Sequence, residues 1–166
     1  MSHFSLNSVE VAQTSISRFE EYLQSKEKRM TRPRRILVEH VFSRHAHFDA
    51  DELVESLSHL GERRRVSRPT VYRTLAELVE AGLLRKLDLG GRAVYEHDYG
   101  YPQHDHLHCQ QCNKLIEFHS KEIAQIRDAV GHEHDFRVTG HRFIVTGVCI
   151  DCSRKRRRRK SPLDLI

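Results

Sequence analysis

Four cysteines arranged as two C-x-x-C pairs constrain the fold of this 166-residue chain more than any other feature of its sequence. Cys109 pairs with Cys112 and Cys149 with Cys152, and each spacing places two thiols on a tight turn. Together they offer the four soft ligands of a structural zinc site, which would join the start of a small domain to its end. The alternative is two redox-active dithiols, which the sequence favours less because neither pair opens a helix after a strand.

The composition explains why a metal ion that cross-links the fold is expected. A chain of this length holds one ordinary domain or two small ones, and small domains bury limited cores. The inventory is poor in large core residues, with no tryptophan, but it contains thirteen histidines. No apolar run approaches the roughly 20 residues that span a membrane, and the first residues lack the pattern of a signal peptide. We therefore expect a soluble, cytoplasmic protein that binds metal and does not associate with membranes.

Charge divides the chain into a basic front and an acidic back. Residues 17–95 carry 16 basic and 12 acidic side chains, residues 96–153 carry 5 and 9, and seven consecutive basic residues follow at 154–160. A basic half suits a polyanion, whereas an acidic half that holds eight histidines suits cations. Ordinary surface charge is the simpler interpretation, and the counts alone do not exclude it.

The front half has the element order of a winged helix, predicted over residues 16–96. Apolar residues three to four apart predict four helices, with Thr31, Asp49 and Ser67 as caps of the last three. Gly82 ends the fourth helix, and the paired glycines at 90–91 then predict a tight hairpin. Residues 1–15 are expected to form a flexible arm.

The back half, residues 97–153, is predicted to be a small α/β domain, so that the whole chain is of the α+β class. HLHC and LIEF are typical of strands, Ser120 caps a helix, and FRVTG and HRFIVTGVC predict two further strands. The tail at residues 154–166 is predicted to be disordered, because adjacent like charges repel and nothing apolar anchors them.

A cluster of metal-ligating side chains precedes the first cysteine pair. On an extended segment, alternation places His104, His106 and His108 on one face and Asp105 on the other. Any one of these histidines taken alone would be an ordinary surface residue. Their density beside a C-x-x-C pair predicts a second cation site.

These motifs together resemble the ferric uptake regulator family. The resemblance covers roughly residues 16–153 and rests on TRPRRIL, AHFDADEL and RPTVYRTLAELVEAGLL in the front half, and on HDHLHCQQC, LIEF, His141 and CIDC in the back half. It implies a homodimer of a winged helix and a dimerisation domain, which represses transcription when a divalent metal is bound. It also implies that the four cysteines hold structural zinc.

The same resemblance implies a regulatory metal site formed by five side chains: His47, Glu96, His104, His106 and Glu117. Three imidazoles and two carboxylates suit Fe²⁺, Mn²⁺, Co²⁺ or Zn²⁺, and an iron-dependent repressor of metal uptake genes is the expected role. The metal would lock the angle between the halves by binding one geometry better than the other.

A further family site of His, Asp, Glu and His is only half preserved. Gln103, Asp105, Ala124 and His141 stand at its positions, so we expect the site to be weak or absent unless His119 or Glu122 substitutes. The peroxide-sensing branch favours aspartate where this chain has Glu96 and Glu117, and zinc-sensing members often use an extra cysteine. Both branches remain alternatives to iron sensing.

The fourth helix is the candidate for reading DNA. Arg68, Thr70, Tyr72 and Arg73 lie near its start and off its apolar face, although Tyr72 could instead pack in the core. The positions expected to hold phosphates of double-stranded promoter DNA are Arg32, Arg34, Arg85, Lys86 and Arg92. A dimer would read two half-sites at a spacing set by its symmetry.

Two other classes of protein fit parts of the sequence. A metallohydrolase would use the histidine and carboxylate cluster to activate water, but no substrate pocket or oxyanion donors are evident. A metal-storage module would not need the DNA-reading helix. We therefore predict a regulator with no catalytic residues and no small-molecule substrate.

Overall fold

The computed structural model describes residues 12–43, 46–61 and 65–159. The chain divides into two compact units, the first ending at Pro102 and the second beginning at Gln103. The first unit thus extends past the predicted boundary at residue 96, because the N–H groups of Asp98 and Tyr99 donate to the Leu83 carbonyl. Of the predicted N-terminal arm, residues 1–11 lie outside the described part.

Four helices form the body of the first unit: α1 (Ser15–Ser25), α2 (Arg32–Phe42), α3 (Ala50–Ser58) and α4 (Arg68–Glu80). Asp49 caps α3 through a reciprocal capping box with Glu52, as its position predicts. Thr31 and Ser67 occupy the predicted cap positions of α2 and α4 without a side-chain cap bond, and each helix has a proline in its first turn.

The core of this unit is built from the predicted apolar stripes. The helices cross so that leucine, valine and phenylalanine side chains from all four meet the start of the hairpin. Its fully enclosed members are Phe19, Leu37, Val38, Val71, Leu75, Leu78 and Leu83. Burial of each such side chain contributes about 1.5–3 kcal/mol, so this cluster holds the helices in place.

The hairpin consists of β1 (Leu84–Leu89) and β2 (Arg92–His97), paired antiparallel with Leu89 opposite Arg92. Gly90 and Gly91 form the turn with φ values of 66° and 87°, in the left-handed region that glycine adopts without strain. Helices followed by this hairpin form a winged helix, as predicted.

The second unit is a small α/β domain. Its sheet has the order β4-β3-β5, with β3 (Asp105–Cys109) antiparallel to β4 (Leu115–Phe118) and parallel to β5 (Ile144–Gly147). Helix α5 (Lys121–Glu133) separates β4 from β5, and the Ser120 side chain caps it by accepting the Ile123 N–H. Helix α6 (Ile150–Arg159) follows the sheet.

Two predicted features of this unit are wrong. FRVTG at 136–140 is not a strand, because it packs back against α5. The Phe136 N–H donates to the Gly131 carbonyl. The Val138 side chain lies so close to Gly131 that a Cβ added to this glycine would be 2.5 Å from it. The segment 154–159, predicted to be disordered, is helical and belongs to α6. Its first turn is anchored beside the cysteines, where the Ser153 N–H donates to the Cys149 carbonyl. Residues 160–166 lie outside the described part.

Within the described ranges, no helix combines the length and the apolar character needed to cross a bilayer.

Candidate metal centres and DNA-facing surface

The sheet and α6 bring the two cysteine pairs together. Cys109 ends β3, Cys112 lies in the turn before β4, and Cys149 and Cys152 bracket the start of α6. The second pair therefore opens a helix after the strand β5, so the prediction that neither pair does so is wrong for Cys149 and Cys152. All four sulfurs lie within 4.8 Å of one another, and the Cys112 and Cys149 sulfurs are 3.8 Å apart. With Zn–S bonds of about 2.3 Å, the edge of a ZnS₄ tetrahedron is about 3.8 Å, so the tetrad fits zinc.

Local hydrogen bonding already favours a thiolate in this tetrad. The Cys149 and Gln111 N–H groups donate to the Cys109 sulfur and lower the pKa of that thiol to about 6. Hydrogen bonds with the Cys149 and Cys112 sulfurs raise the pKa of Cys152 to about 12. Four crowded thiols cannot all ionise without a cation among them, so this chemistry fits a divalent metal better than two dithiols.

In the winged helix, a single β-bridge places two of the predicted ligands side by side. Phe48 and Tyr95 exchange backbone hydrogen bonds of 3.2 and 2.8 Å, and their rings stack. Their chain neighbours His47 and Glu96 consequently meet, with His47 Nε2 3.2 Å from Glu96 Oε2. Glu96 is only 3% exposed, and Arg85 approaches its other oxygen at 3.7 Å.

In the second unit, β3 and β4 gather the other three predicted ligands. The register sets His106 opposite Glu117, and His104 Nε2 lies 3.8 Å from Glu117 Oε1. The two histidine rings meet edge to face with centroids 4.8 Å apart. His104 and His106 are 6% and 1% exposed. Buried imidazoles beside a carboxylate are a typical donor set for a divalent cation.

The half-preserved family site is engaged in internal contacts. The Gln103 amide donates to the His141 carbonyl and faces its Nδ1 at 2.9 Å, while His141 Nε2 lies 3.1 Å from the buried carboxylate of Asp105. Both ring nitrogens of His141 therefore face protein groups, and Ala124 offers no donor atom. Of the residues named as substitutes, Glu122 accepts from Ser120 and His119 is exposed. Of the four family positions, only Asp105 and His141 offer the expected donor atoms, and these two side chains contact each other.

Helix α4 presents its N-terminal side chains to solvent. Tyr72 is 48% exposed, so it does not pack in the core. Its hydroxyl donates to Asp51 of α3, which raises the tyrosine pKa, and Arg68 reaches the same Asp51 oxygen at 2.7 Å. Thr70 bonds the Ser67 hydroxyl, and Arg73 is exposed. Asp51 thus holds two of the predicted DNA-contacting side chains.

On the hairpin, two of the three predicted phosphate contacts form ion pairs. Arg92 binds Asp49 at 2.5 Å and Glu52 at 2.8 Å, which ties β2 to the start of α3. Arg85 bonds Asp98. Lys86 is exposed.

On α2, Arg34 has a partner that the sequence pattern did not predict. Arg34 lies 2.9 Å from Glu77, a carboxylate of α4 that is 3% exposed and that Lys28 also contacts. The only signal in the sequence was an acidic residue directly before Leu78 on the apolar side of α4. Arg32, by contrast, is exposed.

Comparisons with known proteins agree with this architecture. Residues 25–146 match the model of the ferric uptake regulator family. The chain is 35% identical over 133 residues to a ferric uptake regulation protein of Neisseria gonorrhoeae, covering 78% of this chain and 90% of that protein. It is 30% identical over 127 residues to the peroxide-responsive repressor PerR of Staphylococcus saprophyticus, covering 76% and 84%.

Among solved structures, the ferric uptake regulator of Vibrio cholerae superimposes with a TM-score of 0.66 at 30% identity, covering 78% of this chain and 98% of that one. The family consists of transcriptional regulators rather than enzymes, which removes the metallohydrolase alternative. A family match over most of the sequence, a winged helix and a cysteine tetrad in the second unit show that this chain belongs to the ferric uptake regulator family of metal-responsive transcriptional regulators.

Proposed function

We propose that this chain is an iron-dependent repressor of metal uptake genes, which binds palindromic promoter DNA as a homodimer when a divalent metal occupies its regulatory site. Such a regulator works in the cytoplasm, where the promoter is. The observation that carries the proposal is the placement of imidazole and carboxylate ligands at buried positions of both units, with Glu96, His104 and His106 all less than 7% exposed.

The first step of the proposal assigns structural zinc to the four cysteines, Cys109, Cys112, Cys149 and Cys152. Their sulfur spacing and the lowered pKa of Cys109 support it. Zinc bound there would connect the end of β3 to the start of α6 and stabilise a unit whose own core is small. The metal supplies cross-linking and no chemistry.

The second step assigns one regulatory cation to His47 and Glu96 of the winged helix together with His104, His106 and Glu117 of the second unit. Support comes from each unit separately, since His47 is paired with Glu96 and His104 lies near Glu117. A cation that needs ligands from both units would stabilise one arrangement of them over others. A switch from about 1% to 99% of the DNA-binding form requires about 10⁴-fold tighter metal binding to that form.

The metal is assigned as Fe²⁺ from the relatives and from ligand chemistry. Imidazole and carboxylate ligands accept Fe²⁺, Mn²⁺, Co²⁺ and Zn²⁺, and affinity alone favours zinc over iron. The chain is 35% identical to the ferric uptake regulation protein of Neisseria gonorrhoeae and 30% identical to the peroxide-responsive repressor of Staphylococcus saprophyticus, and the higher identity to the former supports iron. Zinc sensing stays an alternative, to be separated by metal affinities.

The third step concerns DNA. The exposed start of α4 would enter the major groove, with Tyr72 and Arg73 near bases and Arg68 and Thr70 near the backbone. Arg32 and Lys86 are exposed cations suited to phosphates, and Arg34, Arg85 and Arg92 would have to exchange a carboxylate for a phosphate. The Vibrio cholerae relative is described as having DNA-binding domains.

The fourth step concerns the dimer. Leu107 of β3 is directly opposite Ile116 on β4 and Val145 on β5, so the three side chains form a row across the sheet. Each is 41–42% exposed. An apolar row on an open sheet face is typical of a protein interface, and a second copy of this chain would cover it.

The test measures fluorescence anisotropy of a labelled palindromic promoter duplex with anaerobically purified protein, with and without Fe²⁺, Mn²⁺ or Zn²⁺. Metal should raise the affinity at least tenfold on the palindrome and little on a scrambled duplex. In the His104→Ala variant the increase should disappear while zinc content stays at one per protomer. His119→Ala, an exposed histidine of the same unit, is the matched control and should behave as the parent. An unchanged metal response in His104→Ala would refute the switch.

Peroxide sensing is the second candidate, because the Staphylococcus saprophyticus relative is a peroxide-responsive repressor. Addition of hydrogen peroxide to the iron-loaded complex distinguishes the two. Oxidation of a ligand histidine with loss of DNA binding supports peroxide sensing. Retention of binding and of the unmodified mass supports iron sensing.

A further inference from the structure

Helix α6 is a helix without an apolar face. It begins with Ile150, Asp151 and Cys152, and from residue 154 the sequence is a run of seven basic residues that continues through 160. Arg154 and Lys155 are exposed. Hydrophobic packing, which stabilises most helices in proteins, is therefore not available to the basic part of α6.

The basic part of α6 is also electrostatically unfavourable as an isolated helix. A helical run of basic residues places like charges three and four positions apart, where they repel. Helices shorter than about 12–15 residues are marginal in water even without such repulsion. A ten-residue segment of this kind therefore needs another source of stability to remain helical, either an attachment at one end or anions bound to its basic side chains.

At its start, α6 is attached to the cysteine tetrad. Cys149 directly precedes the helix and Cys152 lies in its first turn, so two of the four sulfurs belong to this element. The Cys149 N–H donates to the Cys109 sulfur at 3.3 Å, and the Ser153 N–H donates to the Cys149 carbonyl at 3.0 Å. Zinc in the tetrad would hold the first turn in helical geometry, which is the costly step of helix formation.

Three carboxylates of the same unit already have partners elsewhere in it. Asp105 lies against His141, Asp128 against Arg127, and Glu122 against Ser120. The backbone of α6 rises about 1.5 Å per residue, and every residue from Arg154 to the end of the helix at Arg159 is basic in the sequence. Duplex DNA is a polyanion with about one negative charge per 1.7 Å of its axis, so its phosphates offer counter-charges to a basic segment of this kind.

We propose that α6 is a second, sequence-independent DNA-contacting element, which the zinc site nucleates as a helix and which binds phosphates of duplex DNA outside the contacts of α4. This inference rests on the proposed DNA-binding function. It gives the metal in the cysteine tetrad a second role. The same ion that stabilises the sheet would also hold the first turn of α6 in helical geometry, so that its basic residues can contact DNA.

The experiment compares the zinc-loaded full chain with a variant truncated after Ser153, which keeps all four cysteines. Binding to a 30-base-pair duplex of scrambled sequence is measured by anisotropy over a series of NaCl concentrations. Each lost phosphate contact lowers the slope of log K against log [NaCl] by about 0.9. Truncation should reduce the magnitude of the slope by about 2 or more per protomer, which relative to 1 M NaCl is a loss of affinity on the order of 100-fold at 0.1 M NaCl. An unchanged slope and affinity, with zinc retained, would overturn the proposal.

A matched pair tests the helix itself. Lys155→Gln and Lys155→Pro each remove one charge, but only proline breaks the helix after its first turn. The proline variant should bind the scrambled duplex at least threefold more weakly than the glutamine variant. Equal affinities would overturn the helical presentation.

Two further measurements separate this inference from other failures. Metal-enhanced binding to the palindromic duplex should persist in the truncated chain, so its absence from both chains refutes the proposed function rather than the role of α6. Binding to phosphatidylglycerol vesicles is measured in parallel. A tail that affects vesicle binding but leaves the DNA slope unchanged would identify a lipid partner and refute the DNA contact.

Discussion

Replacing Arg34 with methionine tests whether this arginine stabilises the winged helix or contacts DNA. Arg34 has a side chain only 13% exposed and lies 2.9 Å from Glu77, whose side chain is 4% exposed. Loss of a buried ion partner typically costs 3–5 kcal/mol, because it leaves a buried charge uncompensated. Lys28 still contacts the same Glu77 oxygen at 2.8 Å but is 44% exposed and contributes less. We therefore expect Arg34→Met to lower the free energy of unfolding by about 2–3 kcal/mol.

Urea unfolding followed by far-ultraviolet circular dichroism, at fixed protein and zinc concentrations, measures this loss. Arg32→Met is the matched control on the same helix, since Arg32 is exposed, and it should change stability by less than about 0.5 kcal/mol. Arg34→Met combined with Glu77→Leu should recover most of the stability, because no buried charge remains. The opposite result would be unchanged stability of Arg34→Met together with a slope of log K for DNA binding against log [NaCl] that is smaller by about 0.9. That result would show that Arg34 contacts a DNA phosphate and would refute its structural role with Glu77.

Three further predictions follow from the sites. Burial alone would raise the pKa of Asp49, but hydrogen bonds from the Glu52 N–H and Arg92 outweigh it and lower the pKa. Asp49→Asn should therefore destabilise the protein at pH 7. Urea titrations should show that the difference in unfolding free energy between parent and variant shrinks as the pH falls below about 4. Cys112→Ser should lower the zinc content measured by mass spectrometry by one ion per protomer and dissociate the dimer in sedimentation, and a stable dimer that lacks this ion would contradict the structural role. Gln103→His combined with Ala124→Glu should add one metal per protomer to the parent stoichiometry, whereas an unchanged count would show that more than these two donors is missing.

Much of the fold follows from local signals in the sequence. The capping residues Asp49 and Ser120 act as predicted, and Gly90-Gly91 forms the hairpin turn with positive φ. These features depend on the hydrogen bonds and backbone freedom of a few consecutive residues, so a short stretch of sequence contains all the information that they need. The cysteine tetrad is predictable for a related reason, because C-x-x-C spacing restricts each pair to a tight turn.

The errors arose where a distant part of the chain decides the outcome. FRVTG has the composition of a strand, but it folds against Gly131, whose missing side chain leaves room for Val138. The basic segment 154–159 has the composition of a disordered tail, but it continues a helix that starts between two cysteines of the tetrad. Neither partner is visible in the local pattern, because each is set by packing or attachment elsewhere.

The sequence by itself determined the winged helix, the position of its fourth helix and the pairing of the four cysteines on two tight turns, since residue type and spacing are sufficient for each. Only the tertiary structure decided how charged side chains are used. Arg34 is held by a buried carboxylate on α4, Arg68 and Tyr72 share Asp51, and His141 is occupied by Gln103 and Asp105. The physical reason is that a charged side chain interacts mainly with groups within a few ångströms. Which groups these are depends on how segments that are far apart in the chain pack together.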